Sequence, residues 1–376
     1  MRRSMVLASA AVMASGLLLA GCSSSDTPSG NDTASGGASS APKAKVGVIL
    51  PDTKSSARWE TADAKYLAAA FEAAGVDYDI QNAQGDKQQF QTIADGMITE
   101  GVNVLMIVNL DSGSGKAVLQ KAQAQGIATI DYDRLTLGGG ADYYVSFDNT
   151  KVGELQGQGL EKCLTDAGKT TANIAFLNGS PTDNNATLFK AGAVEALKAK
   201  TDSGAFTVVA DQAVPDWDNQ QAGTIFEQMY TETGGKIDGV LAANDGLGNA
   251  AIAILKKNGV NGTVPVTGQD ATDQGLQNIL AGDQCMTVYK AVKKEAAAAA
   301  ELAILLAKGD KAGADAKATG KTADSVSGKD VPSVLLEPQP IYKATVKDVI
   351  ADGFTTADKI CTTAELKAAC TANGIS

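Results

Sequence analysis

The 376-residue chain contains no histidine, which removes at once the commonest general base and the commonest transition-metal ligand. Chemistry that depends on imidazole is excluded. Cysteine is scarce, five in all, and no two stand at the C-x-x-C spacing of a zinc or redox site. Only two tryptophans are present, Trp59 in "ARWE" and Trp217 in "PDWDN". Both sit among polar and charged residues, where a core tryptophan would normally lie in an apolar run. Positive charge is in deficit, 32 Lys and Arg against 43 Asp and Glu for a formal net charge of -11, which argues against a nucleic-acid partner. Past the N-terminus no apolar run is long enough to cross a bilayer. The best candidate, "EAAAAAELAILLAKG", is too short and too charged at its edges, and reads as a packed helix.

What is present begins with a leader. "MRRSMVLASAAVMASGLLLAGC" sets Arg2 and Arg3 before an apolar stretch and small residues, the plan of an export signal over 1–22. "LAGC" resembles the bacterial lipoprotein signal, which implies lipid on Cys22 and anchoring at the outer face of the cytoplasmic membrane. Residues 23–42, "SSSDTPSGNDTASGGASSAP", are Ser/Gly/Pro-rich with almost no apolar content and read as a flexible tether, with a mean reach of roughly 25 Å. The chain from Lys43 on suffices for two domains of ordinary size. Outside the cytoplasm the four remaining cysteines read as two disulfides. The favoured pairing is Cys361 with Cys370, leaving Cys163 with Cys285, although a full helix across "TTAELKAA" would set the first pair too far apart to bridge.

From Val46 on, short apolar β-branched runs alternate with Ala-, Lys- and Gln-rich helical stretches, many closed by glycine. The runs are "VGVIL", "VDYDI", "NVLMIVN", "ATIDYD", "YYVSF", "NIAFLN", "FTVVAD", "GVLAAN", "VPVTG", "MTVYK" and "SVLLEP". Continuous apolar strands separated by helices mean parallel sheets covered on both faces. The fold class is α/β, and this many strands suit two sheets better than one.

In open α/β sheets, ligands bind beyond the carboxyl ends of the strands. There this chain places Pro51 and Asp52, Asn109 to Asp111, Asp131 to Arg134, Asp148 and Asn149, Asp183 to Asn185, Asn244 and Asp245, Gln269 and Asp270, and Lys290. Any one of them reads as a helix N-cap or turn residue; the series reads as the lining of a cleft. Asp, Asn, Arg and Lys can satisfy several adjacent hydroxyls together, and an indole beside them suits a flat, partly apolar ligand such as a sugar ring. In "FLNGSPTDNNA" the alternate residues Asp183 and Asn185 can face one way, leaving Asn184 to the turn.

At "ARWE", "DYDR", "YYVSFDNTKVGELQG", "GSPTDNNATLFKAG", "AANDG", "GQDATDQG" and "MTVYK" the chain resembles the periplasmic sugar-binding proteins of ABC importers, in particular the D-xylose-binding branch of the ribose/galactose-type (type I) solute-binding family. The resemblance runs from about Val46 to Phe354. It implies two Rossmann-like parallel-sheet lobes joined by a three-segment hinge, crossing near Asp148, Tyr289 and Pro338. The N-terminal lobe would comprise 43–147 and 290–337, the C-terminal lobe 148–289 and 338–376. A sugar would lie between Trp59 and Trp217. Arg58 and Arg134 would donate from one lobe, Asp183, Asn185, Asn244 and Asp270 would bond hydroxyls from the other, and Lys290 would close the set. The implied partners are a monosaccharide, D-xylose first, and ABC permease subunits that recognise the closed monomer. No cofactor, metal or enzymatic activity is implied. The first loop shares with the family only Arg58 and Trp59, and the cysteines and the tail "ICTTAELKAACTANGIS" stand outside the sugar-site pattern.

Related branches that bind several aldoses share many of these motifs. Two enzyme readings compete on residues alone. "GLGNAA", Gly246 to Ala251, fits G-x-G-x-x-A, with Asp270 farther on, but "AND" separates the strand from the first glycine and an exported protein would rarely meet a dinucleotide. Asp183 and Asp270 could form a glycosidase pair, but neighbouring Arg and Lys would keep both ionised. "DSGSGKA" lacks the first glycine and the Ser/Thr of a phosphate loop.

Overall fold

A computed structural model describes Ala44–Ile375. Residues 1–43, on which the expected export leader, Cys22 and the expected tether fall, lie outside the described residues. Twelve strands follow one another within them: β1 (Lys45–Leu50), β2 (Asp77–Asn82), β3 (Val104–Ile107), β4 (Ala128–Tyr132), β5 (Tyr143–Phe147), β6 (Ala172–Asn178), β7 (Phe206–Ala213), β8 (Gly239–Ala242), β9 (Thr287–Tyr289), β10 (Gly320–Asp324), β11 (Lys329–Leu336) and β12 (Gln339–Ile341).

One sheet has the order β10-β11-β5-β4-β3-β1-β2 and is parallel except for β10. Its interior strands bury both faces, because side chains alternate along a strand. Val46 and Val48 of β1, with Val104 and Met106 of β3, enter one core cluster; Ile49, Leu105 and Ile107 enter another on the opposite face. The second sheet, β7-β6-β8, repeats the device: Ala175, Leu177, Val240 and Ala242 face one core, and Ile174, Phe176 and Leu241 the other.

Ten of the eleven expected runs become strands. "VPVTG" does not, since Pro265 has no N–H to give a ladder. It still stitches the sheet: Val240 donates to the Pro265 carbonyl, Thr267 to that of Val240, Cys285 to that of Val266, and Val288 to that of Gly268. The extended segment therefore carries the second sheet from β8 across to β9 and its antiparallel partner β12. β10 and β12 were not expected: β10, "GKTAD", is too polar for an apolar-run criterion, and β12 has only three residues.

The chain passes between the two sheets at three points, from β5 into the helix Asn149–Asp166, from β9 into the helix Val292–Ala307, and from β11 into β12. The crossings lie side by side. Asp148 N–H donates to the Leu336 carbonyl, and β9 pairs with β12. "EAAAAAELAILLAKG" lies in the helix Val292–Ala307, which buries Ala296, Ala299, Ala300 and Leu302. Among the described residues no helix is long and apolar enough to cross a membrane.

Cys163 is bonded to Cys285 and Cys361 to Cys370. The obstacle foreseen for the second pair does not arise, because the helix begins only at Ala364. Cys361 precedes it, and the two Cα atoms are 6.2 Å apart. In the first pair Cys163, on the first crossing helix, is tied to the segment just before β9, the strand that leads into the second crossing.

The helices Asn149–Asp166 and Asn184–Asp202 run in backbone contact. A Cβ on Gly153 would strike the Phe189 carbonyl, and one on Gly192 the Thr150 carbonyl. Gly153→Ala should therefore destabilise the protein by about 1–3 kcal/mol despite alanine's better helix propensity, measured as a lowered urea midpoint. An unchanged midpoint would mean that the two helices can part at no cost.

Candidate ligand-binding cleft

The polar residues after the strands converge between the two sheets on a small cavity of about 30 Å³, well below the roughly 300–1,000 Å³ of typical small-molecule sites. All nine residues nominated from the sequence line it: Arg58, Trp59, Arg134, Asp183, Asn185, Trp217, Asn244, Asp270 and Lys290. Each is buried. The cleft is closed, with direct contacts across it. Ser56 Oγ donates to Asp270 Oδ2 (3.0 Å), Arg134 Nε meets Asp183 Oδ2 (3.1 Å), and Asn185 Nδ2 donates to Asp133 Oδ1 (3.2 Å).

Several wall residues also cap helices. Asp183 Oδ1 accepts from Asn185 N–H at the start of Asn184–Asp202, and Asn244 Oδ1 from Leu247 N–H at the start of Asp245–Lys257. Cap and wall are thus one residue, not alternatives. Asp183 and Asn185 reach the cavity as cap and first-turn residues of a helix, not as alternate strand positions. Asn184 lines a separate groove. The glycines of "GLGNAA" serve packing: a Cβ on Gly246 would press on Asn219, and Gly248 lies against the Thr267 carbonyl.

The two indoles are held differently. Trp59 lies in a short π-helical turn, donates from Nε1 to Ser55 Oγ (3.1 Å), and carries the Arg58 guanidinium 4.5 Å above its ring. Trp217 donates from Nε1 to Asp183 Oδ2 (3.1 Å) and meets Phe189 edge-on. Its ring sits where a Cβ of Gly179 would be, so the glycine of "FLNGSP" makes room for the indole. Backbone strain gathers here as well. Of the six non-glycine residues with positive φ among the described residues, five are Asp133 (62°), Asp216 (53°), Trp217 (55°), Asp270 (97°) and Ala271 (54°), conformations that cost about 1–3 kcal/mol each and concentrate at functional sites.

The structure adds Asp133, Phe189, Gln269, Ser55 and Ser56 to the lining. Asp133 and Gln269 stood among the strand-end residues, but nothing local distinguished them from their neighbours. Phe189 lies a full turn inside a helix and carries no sequence signal.

Asp133 is the electrostatic centre. Its Oδ2 accepts from Arg58 Nη1 (2.9 Å) and Lys290 Nζ (3.2 Å). Burial pushes its carboxyl up, but Lys290, Arg58 and Arg134 outweigh this and hold it below the usual range. Burial likewise pushes the Lys290 ammonium down, and Asp133 and Asp270 reverse the shift. Asp183 differs: burial pushes it up, with Arg134 only partly opposing. Arg58 is nearly saturated, giving two bonds to Asp63 and one each to Glu295 and Asp133. One of its five N–H groups is left for a ligand. Among the described residues no cluster of His, Cys, Asp or Glu is placed to hold a metal ion.

Residues 46–311 match the family model described as a periplasmic binding protein domain. The chain is 38% identical over 318 residues to the D-xylose-binding periplasmic protein of Escherichia coli, covering 84% of this chain and 92% of that one. It is 35% identical over 336 residues to the multiple sugar-binding periplasmic receptor ChvE of Rhizobium radiobacter, covering 85% and 93%. Among solved structures, an ABC transporter solute binding protein from Clostridium phytofermentans with bound β-D-glucose superposes with a TM-score of 0.74 at 29% identity, covering 84% of this chain and 99% of that one. Two α/β lobes joined by three crossings, closed over a small polar cavity, thus agree with the sequence relationship: the chain belongs to the periplasmic binding protein family.

Proposed function

We propose that this chain captures a neutral monosaccharide, D-xylose first, between its lobes and delivers it to an ABC permease. On this reading it is a monomeric, exported lipoprotein held by lipid on Cys22 at the outer face of the cytoplasmic membrane, and it needs no cofactor. The N-terminal lobe comprises 43–147 with 290–337, the C-terminal lobe 148–289 with 338–376, and the lobes close about the hinge. The observation that carries the reading is a small, closed cavity with an indole contributed from each lobe and a ring of hydrogen-bonding groups between them.

Charge supports neutrality of the ligand. At the wall Arg58, Arg134 and Lys290 face Asp133, Asp183 and Asp270, and behind it Asp63 and Glu295 take up Arg58, so an anionic sugar would add unmatched negative charge to a buried site. The choice of xylose rests on the relationship to D-xylose-binding proteins at 38% and 35% identity. A wider aldose range has support in the similarity to the multiple sugar-binding receptor.

Calorimetry against D-xylose, D-glucose, L-arabinose and D-ribose tests the proposal. Xylose should bind tightest, and Asp270→Ala and Trp217→Ala should each raise its Kd roughly ten- to hundredfold. Comparable affinity for several of the four would favour the aldose-range reading, and indifference to all of them would overturn the sugar assignment. Gly179→Ala offers a second check. Its Cβ should drive the Trp217 ring from its seat, abolishing tight binding while far-UV circular dichroism stays native.

A further inference from the structure

The buried network behind the cavity is out of charge balance. Three cations, Arg58, Arg134 and Lys290, share it with five carboxylates, Asp63, Asp133, Asp183, Asp270 and Glu295. Four of the five are well supplied. Asp63 takes two Arg58 bonds and the Tyr132 hydroxyl (2.6 Å). Asp133 holds Arg58 and Lys290, Asp183 holds Arg134 and Trp217, and Asp270 holds Ser56 with Lys290 at 3.9 Å. Glu295 is the exception. Its Oε2 accepts from Arg58 Nη2 (2.5 Å), while its Oε1 is buried with no partner. The titratable groups around it are Arg58 and Asp63 from the first turn, Tyr132 and Asp133 at the end of β4, Tyr144 of β5, and Lys290 ahead of its own helix.

We propose that Glu295 is a positioning residue that aims Arg58 into the cleft, and that closing the cleft over a sugar takes up a proton at Glu295, so that sugar affinity falls as the medium becomes alkaline. The bare Oε1 is where a surplus proton costs least, and a carboxylate oxygen buried without a donor is where charge costs most. Burial first, then the proximity of Asp133, pushes the Glu295 carboxyl up to about 8 in the closed protein, against the opposing pull of Arg58 and Lys290. An open cleft admits water to Arg58, Asp133 and Lys290, which lowers the cost of a charged Glu295. Proton and sugar therefore favour the same closed state, and each raises the other's affinity. Affinity falls between the pKa of the open form and about 8, and levels off above that.

This inference rests on the sugar-binding reading, and D-xylose is the probe. Titration calorimetry on the full mature chain between pH 6 and pH 9, repeated in phosphate and Tris, reads affinity and net proton uptake together. Wild type should lose roughly three- to tenfold in affinity across this range and take up a fraction of a proton near pH 7.5. Glu295→Gln keeps an acceptor for Arg58 but cannot titrate. It should match wild type at pH 6 within about threefold, stay flat to pH 9 and take up no proton. Glu295→Ala, which removes one of the two acceptors on Arg58 Nη2 and leaves Asp63 and Asp133 to hold the side chain, should bind weakly at every pH. A flat wild-type profile, or the same slope and uptake in Glu295→Gln, would overturn the proposal. Failure of folded wild type to bind xylose at pH 6 would overturn the xylose assignment and this inference with it.

Discussion

The closed cleft is organised around one carboxylate. Asp133 sits at φ 62° just past the end of β4, and four parts of the chain converge on it. Its carboxylate accepts from Arg58 of the first loop, from Lys290 at the second crossing, and from Asn185 on the opposite side of the cleft. Its backbone carbonyl accepts from Tyr144, Ser146 and Asn185. Asn149, at the start of the first crossing helix, donates to Asn185 Oδ1 in turn. Leaving partners like these with uncompensated buried charge costs about 3–5 kcal/mol. The strained backbone conformation is small beside that, which is why a non-glycine residue can hold it.

The same economy recurs around the cavity. Helices start where strands end, and each start leaves N–H groups that need an acceptor. Asp183 and Asn244 supply that acceptor with one oxygen and face the cleft with the remaining polar atom, so the wall is fixed by the helix it caps. Their backing is rigid too. Gln156 donates to the carbonyls of Ala242, Ala243 and Gly268, which pins the strand ends carrying Asn244 and Asp270 to the first crossing helix. Gly153, Gly157 and Gly192 let that helix lie close enough to its neighbour.

Much of this was legible in the sequence because it depends on periodicity and on position relative to strand ends. The apolar runs located ten strands, and the residues after them supplied six of the nine nominated wall positions; Trp59 and Trp217 stood out as tryptophans in polar loops, and Arg58 came from the family resemblance. The losses have physical causes. The segment holding Val264 to Asp270 looked like a strand but acts as a stitch, because Pro265 forbids a full ladder and only tertiary context supplies its partners. β10 is an edge strand whose polarity suits its exposure. Arg58 was recognised as a wall residue, yet its saturation by Asp63, Asp133 and Glu295 depends on contacts spanning up to 237 positions, which no local pattern encodes. Phe189 faces the cavity only because Gly153 brings its helix inward.

The contacts across the closed cleft bear on selectivity. Arg134 and Asp183 pair with each other at 3.1 Å, and Ser56 already occupies Asp270. A ligand that lacks a hydroxyl for one of these groups does not leave it bare, because the group returns to a protein partner. The penalty for a missing hydroxyl is then smaller than the roughly 1–3 kcal/mol of a stranded buried group. The indoles have no such alternative. Trp59 and Trp217 are held at their Nε1 atoms by Ser55 and Asp183, and Gly179 leaves no slack behind the second ring. On the sugar reading, discrimination by ring shape is therefore sharp and discrimination by single hydroxyls is soft, a combination that tolerates neighbouring aldoses while excluding ligands that are not flat and neutral.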